Sequence, residues 1–106
     1  MYKIVFTTTD SKEVAKIISD EILLNKLSPC VQILAPVESS FIWKGKIERN
    51  KEFLVQIKTL KANIESIKEI IKIKHNYKIP EIVSFNIDLL DSKYRKWFND
   101  NIKIKE

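Results

Sequence analysis

Apolar residues recur along this chain with two different periods, one typical of strands and one typical of helices. Alternation over two residues predicts strands, and spacing of three or four residues predicts helices. The predicted strands cover residues 2–8, the stretch from Cys30 to about Thr59 in two arms, and residues 82–87. The predicted helices run from Asp10 to about Leu27, from a cap at Thr59 to about Lys74, and onward from Asp91. The order is β-α-β-β-α-β with a C-terminal helix.

This order predicts an α+β fold of the ferredoxin-like kind, with a four-stranded antiparallel sheet. Both crossovers should be right-handed, which places the two long helices on the same face of the sheet. The other face then has no cover within the chain, although its strand residues are largely apolar. A length of 106 residues suits one domain, residues 1–106.

The second and third strands form one long hairpin, residues 30–59, around the only glycine of the chain, Gly45. A glycine between two strand-like stretches is a turn signal, because a residue without Cβ adopts positive φ at low cost. Pro36 interrupts the first arm, so that the strand there is either at an edge or bulged. The apolar residues near the turn, from Phe41 to Ile47, need contacts elsewhere, and we expect a second copy of the chain to supply them.

Polar residues beside the helices predict how each helix begins. Asp10 followed by Glu13 has the spacing of a capping box for the first helix. The hydroxyl of Thr59 is placed to cap the second helix, and Asp91 to cap the third. The third helix carries Tyr94, Trp97 and Phe98 on one side.

The charge and composition exclude several classes of protein. The net charge is +5, yet Lys supplies 17 of the 19 basic residues, and the lysines are interspersed with acidic residues, so we expect no nucleic-acid surface. No apolar stretch reaches 18 residues, so we expect no membrane span. Cys30 is the single cysteine, which favours a reducing compartment, and we expect the protein to be cytoplasmic.

The segment between the second helix and the last strand, residues 74–82, has the highest density of functional side chains. His75, Tyr77 and Glu81 could line a ligand or metal site, with Cys30 as a further candidate metal ligand and Glu52 as a less certain one. His75 could equally serve the C-terminus of the helix, and Cys30 fits a buried structural thiol better than a ligand.

We find no nucleophile–base pair, no glycine-rich phosphate loop and no acid–base dyad, so the sequence does not predict an enzyme. Lys58, near the end of a strand, could reach an anion, although an exposed or paired lysine is the more ordinary interpretation.

An ordered set of motifs resembles the CutA divalent-cation-tolerance family from about Ile4 to Ile102. The set comprises C-V at 30–31, W-K-G-K-I at 43–47 followed by Glu52, I-K-T at 57–59, H-N-Y-K-I-P-E-I at 75–82, and Tyr94 with Trp97. The resemblance implies a ferredoxin-like subunit in a tight homotrimer whose long hairpins reach across neighbouring subunits. It also implies a link to tolerance of copper and other divalent cations, and it does not imply catalysis.

The resemblance also implies a polar pocket near His75, Tyr77 and Glu81 at a subunit boundary. The other motif side chains are candidate pocket residues: Trp43, Glu52, Lys58, Tyr94 and Trp97.

Three departures from the family pattern bear on metal binding. Asn76 replaces the usual proline after the histidine, Lys74 stands where some members have a second histidine, and Thr7 and Thr8 stand near the position of a thiol in some members. We therefore expect weak rather than strong binding of Cu²⁺ or another divalent cation, through His75, Cys30 and Glu81.

Two other classes share this order of strands and helices. A PII-like trimeric module would sense a small anion or nucleotide between subunits, with Lys58 as a contact, although the chain lacks a long glycine-containing loop. An RNA-recognition module should carry a glycine- and aromatic-rich third strand, whereas residues 51–57 read K-E-F-L-V-Q-I.

Overall fold

The computed structural model describes residues 1–104. The strands are β1 (Tyr2–Thr9), β2 (Cys30–Trp43), β3 (Lys46–Leu60) and β4 (Val83–Ile87); the helices are α1 (Lys12–Leu24), α2 (Ile64–Lys74), preceded by a single 3₁₀ turn at Lys61–Asn63, and α3 (Ser92–Asp100). The strands form one antiparallel sheet in the order β2-β3-β1-β4. The predicted ferredoxin-like α+β fold is confirmed.

The core lies between one face of the sheet and the two long helices. Side chains at every second position of β1 and β3 meet the apolar stripes of α1 and α2, as the two periods require. The buried core consists of Val5, Ala15, Ile18, Ile22, Leu27, Val55, Ile57, Ile67 and Ile71. No helix within residues 1–104 combines the length and the hydropathy that a bilayer crossing requires.

The prediction that the opposite face of the sheet has no cover within the chain is wrong at one end. The rings of Phe98 on α3 and Tyr2 on β1 make an edge-to-face contact with centroids 5.6 Å apart, and Phe98 is fully buried. At the other end Phe85, Val83 and Leu34 remain between 43% and 48% exposed. The helix α3 therefore covers one end of this apolar face and leaves the rest exposed in the single chain.

Two of the three predicted caps are wrong. Ser11 rather than Asp10 caps α1, because its hydroxyl accepts a hydrogen bond of 3.1 Å from the N–H of Val14. The hydroxyl of Thr59 caps no helix and donates to the carbonyl of Leu27 at 2.7 Å. The third prediction is confirmed, since the carboxylate of Asp91 accepts from the N–H of Tyr94 at 2.9 Å.

The helix α1 ends at Leu24, three residues before the predicted end. Lys26 adopts φ +56°, its N–H donates to Leu23, and the N–H of Leu27 donates to Ile22. This pair of hydrogen bonds is the Schellman motif, which usually has glycine at the left-handed position. Lysine there gave no sequence signal for the end of the helix.

The hairpin turn is as predicted, because Lys44 and Gly45 adopt φ of +51° and +78° between the paired residues Trp43 and Lys46. Positive φ at both central residues is the geometry of a type I′ turn. The register of β2 against β3 shifts between Leu34 and Val37, and β2 is an edge strand, so both predictions for Pro36 are confirmed.

The hairpin extends well beyond the rest of the sheet. The last pair between β1 and β3 is Thr9 with Phe53, and seven further pairs of β2 and β3 follow, from Val37–Glu52 to Trp43–Lys46. We call residues 37–52 the overhang; at 3.4 Å per residue it is about 20 Å long. Its apolar side chains are open to solvent, with Ile42 68% and Ile47 62% exposed.

Candidate functional site

The candidate site is built around the connection from α2 to β4, residues 75–82, which we call the 75–82 loop. His75 ends α2, and its N–H donates to the carbonyl of Ile71 at 2.9 Å. Its backbone is extended, with φ −70° and ψ 147°, so the chain leaves the helix there and turns toward the start of the overhang. The loop therefore brings three polar side chains, His75, Asn76 and Tyr77, to the end of the sheet.

Both ring nitrogens of His75 are used within the chain. Nε2 lies 2.9 Å from the carbonyl oxygen of Thr8, and Nδ1 lies 3.0 Å from the backbone nitrogen of Tyr77. A carbonyl only accepts and an N–H only donates, so the neutral tautomer with its proton on Nε2 satisfies both contacts. Burial lowers the pKa of His75, against smaller raising effects from the Thr8 carbonyl and from Glu52 and Asp10. His75 thus acts as a neutral connector between β1 and the loop.

A hydrogen bond between Tyr77 and Glu52 joins the loop to the base of the overhang. The phenol of Tyr77 donates to Oε2 of Glu52 at 2.7 Å, and Glu52 is only 6% exposed. Burial raises the pKa of Tyr77, and the hydrogen bond and charge of Glu52 raise it further. The phenol of Tyr77 consequently stays neutral and remains a hydrogen-bond donor to Glu52.

Asn76 connects the loop to the end of β1. Its side-chain nitrogen donates to Asp10 at 2.8 Å, and its oxygen accepts from the hydroxyl of Thr9 at 2.6 Å. These two contacts need an amide side chain, which the proline expected at this position could not supply. The substitution therefore adds a polar connection without removing the turn.

A cavity of about 850 Å³ lies between the overhang and the 75–82 loop. Thr8 and Glu52 line it near the end of β1, and Lys78 and Glu81 are exposed residues on its loop side. Its walls are largely apolar and come from both segments: Phe41, Ile42 and Trp43 on the overhang, Ile79 and Pro80 on the loop.

The structure brings together only part of the predicted site. Trp43, Glu52, Tyr77 and Glu81 line the cavity, and His75 lies next to Tyr77 with ring centroids 4.8 Å apart. The sequence motifs did not indicate Thr8, Phe41 or Asn50, which also line it. Thr8 and Asn50 belong to no motif with a chemical meaning, so only the tertiary structure identifies them.

The remaining predicted residues lie at the other end of the sheet. Cys30 pairs with Lys58, and Lys58 pairs with Ile4 on β1, four residues from Thr8. Four residues of strand correspond to about 13 Å. Cys30 is therefore remote from His75 within one chain. Across residues 1–104, no three His, Cys, Asp or Glu side chains are grouped so that they could hold a metal ion.

Lys58, Tyr94 and Trp97 form a second cluster where α3 covers the sheet. The ammonium of Lys58 lies 5.8 Å from the centroid of the Tyr94 ring, and the Tyr94 and Trp97 rings are 5.4 Å apart. The Tyr94 hydroxyl is shielded and has no hydrogen-bond partner in the described part of the chain. Burial, more than the nearby Cys30, raises the pKa of Tyr94.

Comparison with known proteins assigns the chain to one group. A family model described as CutA1 divalent ion tolerance protein matches residues 3–101. The divalent-cation tolerance protein CutA of Thermus thermophilus is 32% identical over 101 residues, which are 95% of this chain and 98% of that protein. The chloroplastic protein CutA 1 of Oryza sativa is 31% identical over 94% of this chain, which spans 56% of that relative's length.

Solved structures agree with the sequence matches. The Thermus thermophilus divalent cation tolerance protein superimposes with a TM-score of 0.91 at 31% identity, covering 97% of this chain and 100% of that one. CutA1 of Oryza sativa gives 0.92 at 30% identity, with coverage of 98% and 95%.

Proposed function

Because the chain belongs to the CutA1 divalent ion tolerance family, we propose that it is a non-enzymatic homotrimeric protein of divalent-cation tolerance. The exposed apolar side chains of the overhang are the observation that supports the homotrimer. Ile42, Ile47 and Trp43 are between 50% and 68% exposed on a hairpin that has no support from the rest of its own sheet. Each such side chain contributes about 1.5–3 kcal/mol when fully buried, which favours packing against identical copies.

Sedimentation equilibrium at micromolar concentration tests the assembly. We expect a particle of three times the 12.5 kDa chain mass. Ile42→Lys should shift the particle toward the single-chain mass, because a charge on the overhang opposes its burial. Ile73→Lys, at a position of α2 that is 72% exposed, is the matched control and should leave the mass unchanged. A wild-type particle of 12.5 kDa contradicts the proposal.

We further propose that one chain binds Cu²⁺ or another divalent cation only weakly, with His75 and Glu81 as ligands at the edge of the cavity and Cys30 at most as an independent thiol contact. A metal would have to displace the Tyr77 N–H from Nδ1 of His75, which lowers the net affinity. In a Cu²⁺ titration His75→Ala should weaken binding, and Cys30→Ser should leave the His75-dependent phase in place. Identical curves for wild type and His75→Ala would remove His75 from the site.

We place this function in the cytoplasm, where a single free thiol such as Cys30 stays reduced. Similar proteins include the chloroplastic CutA proteins of Oryza sativa and Arabidopsis thaliana and the periplasmic divalent cation tolerance protein CutA of Archaeoglobus fulgidus, so the compartment differs among them. Cell fractionation with an antibody to the native protein tests the assignment.

A second candidate function is small-ligand sensing of the PII-like kind, and the cluster at Lys58 favours it. Within residues 1–104 no carboxylate lies at ion-pair distance from Lys58, and the Tyr94 hydroxyl beside it has an unused donor. An anion between them would satisfy both groups. A thermal-shift screen of nucleotides against divalent metals separates the two functions, since Lys58→Met should abolish a nucleotide response and leave a metal response intact.

A further inference from the structure

The chain beyond α3 passes from one layer of the fold to the other. The helix α3 lies on the sheet face opposite α1 and α2, and the residues after it return to the helical layer. The N–H of Lys103 donates to the carbonyl of Lys26, in the connection from α1 to β2, at 2.8 Å. The side-chain amide of Asn63, just before α2, donates to the carbonyl of Lys103 at 2.7 Å. Residues 101–104, which we call the strap, therefore tie α3 to the opposite layer.

The anchor of the strap is buried. Asn63 and Thr59 are fully buried, and both donate to the carbonyl of Leu27, at 3.1 Å and 2.7 Å. Lys103 itself is exposed, and its contacts with the anchor come from its backbone N–H and C=O. The strap thus ends on a fixed point of the fold, while Lys103 stays at the surface, where water competes for its hydrogen bonds.

Apart from the strap, few contacts hold α3 in place. It is nine residues long, Ser92–Asp100, and a helix this short is marginal in water without packing. Phe98 is the one buried residue among the nine, and Trp97 is 43% exposed. The hydrogen bond that joins Tyr2 to Asn99 is exposed as well. The position of α3 therefore depends on Phe98 and on what holds the ends of the helix.

The closed position of α3 leaves polar groups beneath it in a poor environment. The Tyr94 hydroxyl is shielded from water and has no hydrogen-bond partner within residues 1–104. Lys58 lies 5.8 Å from the centre of the Tyr94 ring, and no carboxylate of the described chain forms an ion pair with it. Burial raises the pKa of Tyr94 and the proximity of Cys30 raises it further, so the Cys30 thiol lies under the same helix. An unsatisfied buried hydroxyl is costly, and lifting α3 would return it to water.

We propose that α3 is a lid over the Cys30–Lys58 end of the sheet and that the strap is its latch. When the Lys103 N–H leaves the Lys26 carbonyl, α3 lifts, water reaches the Tyr94 hydroxyl, and reagents reach the Cys30 thiol. Tyr94 and Lys58 also form the cluster that favours small-ligand sensing, and the lid would control access to it. The lid itself does not depend on that function.

The lid is separate from the surface that we assign to the trimer. The overhang leaves the sheet beyond the pair of Thr9 with Phe53, whereas α3 covers the opposite end, where Tyr2 pairs with Leu60. The test below therefore uses the full chain in whatever assembly it forms.

The reaction of Cys30 with dithiobis-nitrobenzoate reports the opening of the lid, because Cys30 is the single thiol of the chain and is half-buried. The matched variants are Lys103→Pro and Lys103→Ala. Proline has no N–H to donate, whereas alanine keeps the N–H and removes only the exposed side chain. Losing one hydrogen bond shifts an equilibrium by about fivefold, so Lys103→Pro should react about fivefold faster than the wild type, and Lys103→Ala at the wild-type rate.

Amide hydrogen exchange separates opening of the lid from a general loss of stability. In Lys103→Pro the amides of α3 should exchange faster, while that of Val55, in the core, should keep its wild-type rate. An unchanged thiol rate in Lys103→Pro overturns the proposal, and this is also the result if a neighbouring copy covers α3. An equal rise in exchange at Val55 overturns it as well, because the strap would then stabilise the whole fold rather than latch a lid. Equal acceleration by the proline and alanine variants has the same consequence, since the N–H would then not be the latch.

Discussion

Replacing Tyr77 by phenylalanine removes one hydroxyl and leaves the Glu52 carboxylate without its hydrogen bond. That bond is 2.7 Å long, and Glu52 is only 6% exposed, so little water can replace the donor. A hydrogen bond to a charged group contributes about 1.5–3 kcal/mol, and we expect Tyr77→Phe to lower the free energy of unfolding by that amount. The loss reflects mainly the poorly solvated carboxylate, since the ring itself is retained.

Urea unfolding at one fixed protein concentration measures this loss, because association makes the apparent stability depend on concentration. Tyr2→Phe is the matched control: the phenol of Tyr2 donates at 2.9 Å to the neutral, exposed side chain of Asn99. We expect the control to cost less than about 1 kcal/mol.

A double-mutant cycle with Glu52→Gln tests whether the effect belongs to the pair. In the Glu52→Gln background the acceptor is neutral, so Tyr77→Phe should cost only about 0.5–1.5 kcal/mol. If Tyr77→Phe and Tyr2→Phe destabilise the protein equally, or if the cycle shows no coupling, the bond does not hold the overhang and our reasoning about the site is wrong.

Three further predictions concern other parts of the fold. Burial lowers the pKa of His75 in the folded protein below its value in the unfolded chain, so the stability that neutral His75 contributes is fully present above about pH 6.5 and is lost as the pH falls through the folded pKa. His75→Gln should remove this pH dependence of the free energy of unfolding, measured from unfolding curves between about pH 4 and 8. Lys44→Asn should raise the free energy of unfolding by up to about 1 kcal/mol, because asparagine tolerates φ +51° better than lysine does, and a lower chemical denaturation midpoint would contradict this. Thr59→Val should cost about 1–3 kcal/mol in the same assay, since it removes a buried 2.7 Å hydrogen bond to Leu27, and a loss below 0.5 kcal/mol would refute that role.

The strands, helices and hairpin could be predicted from the sequence because each depends on a local period or a single turn residue. Alternation along residues 53–57 indicated a strand whose two faces differ, and the lone Gly45 indicated the turn. The caps were less predictable, since Asp10 and Ser11 are adjacent and aspartate and serine are similarly favoured as cap residues. Only the path of the chain decides which of the two points at the free N–H groups of α1.

The grouping of Cys30 with His75 was not predictable for a different reason. The thiol of Cys30 and the imidazole of His75 are both groups that bind metals. The distance between them depends on the strand register, which cannot be read from a single sequence. Cys30 aligns with Lys58 and Ile4, whereas His75 contacts Thr8 at the opposite end of β1. A pattern of residue types therefore predicted one site where a single chain contains two separate clusters.

The Tyr77–Glu52 bond has a structural consequence for the whole hairpin. Phe53 is the last residue of β3 with a partner on β1, and Glu52 is the first residue beyond it. The side chain of Glu52 gains from Tyr77 a lateral support that β1 no longer provides. His75 in turn accepts a hydrogen bond from the N–H of Tyr77 and is itself hydrogen-bonded to the carbonyl of Thr8 on β1. Glu52 is therefore connected to β1 through Tyr77 and His75. The motif histidine and tyrosine thus set the position from which the overhang leaves the sheet, and any ligand or subunit that contacts the overhang does so from a base that they hold in place.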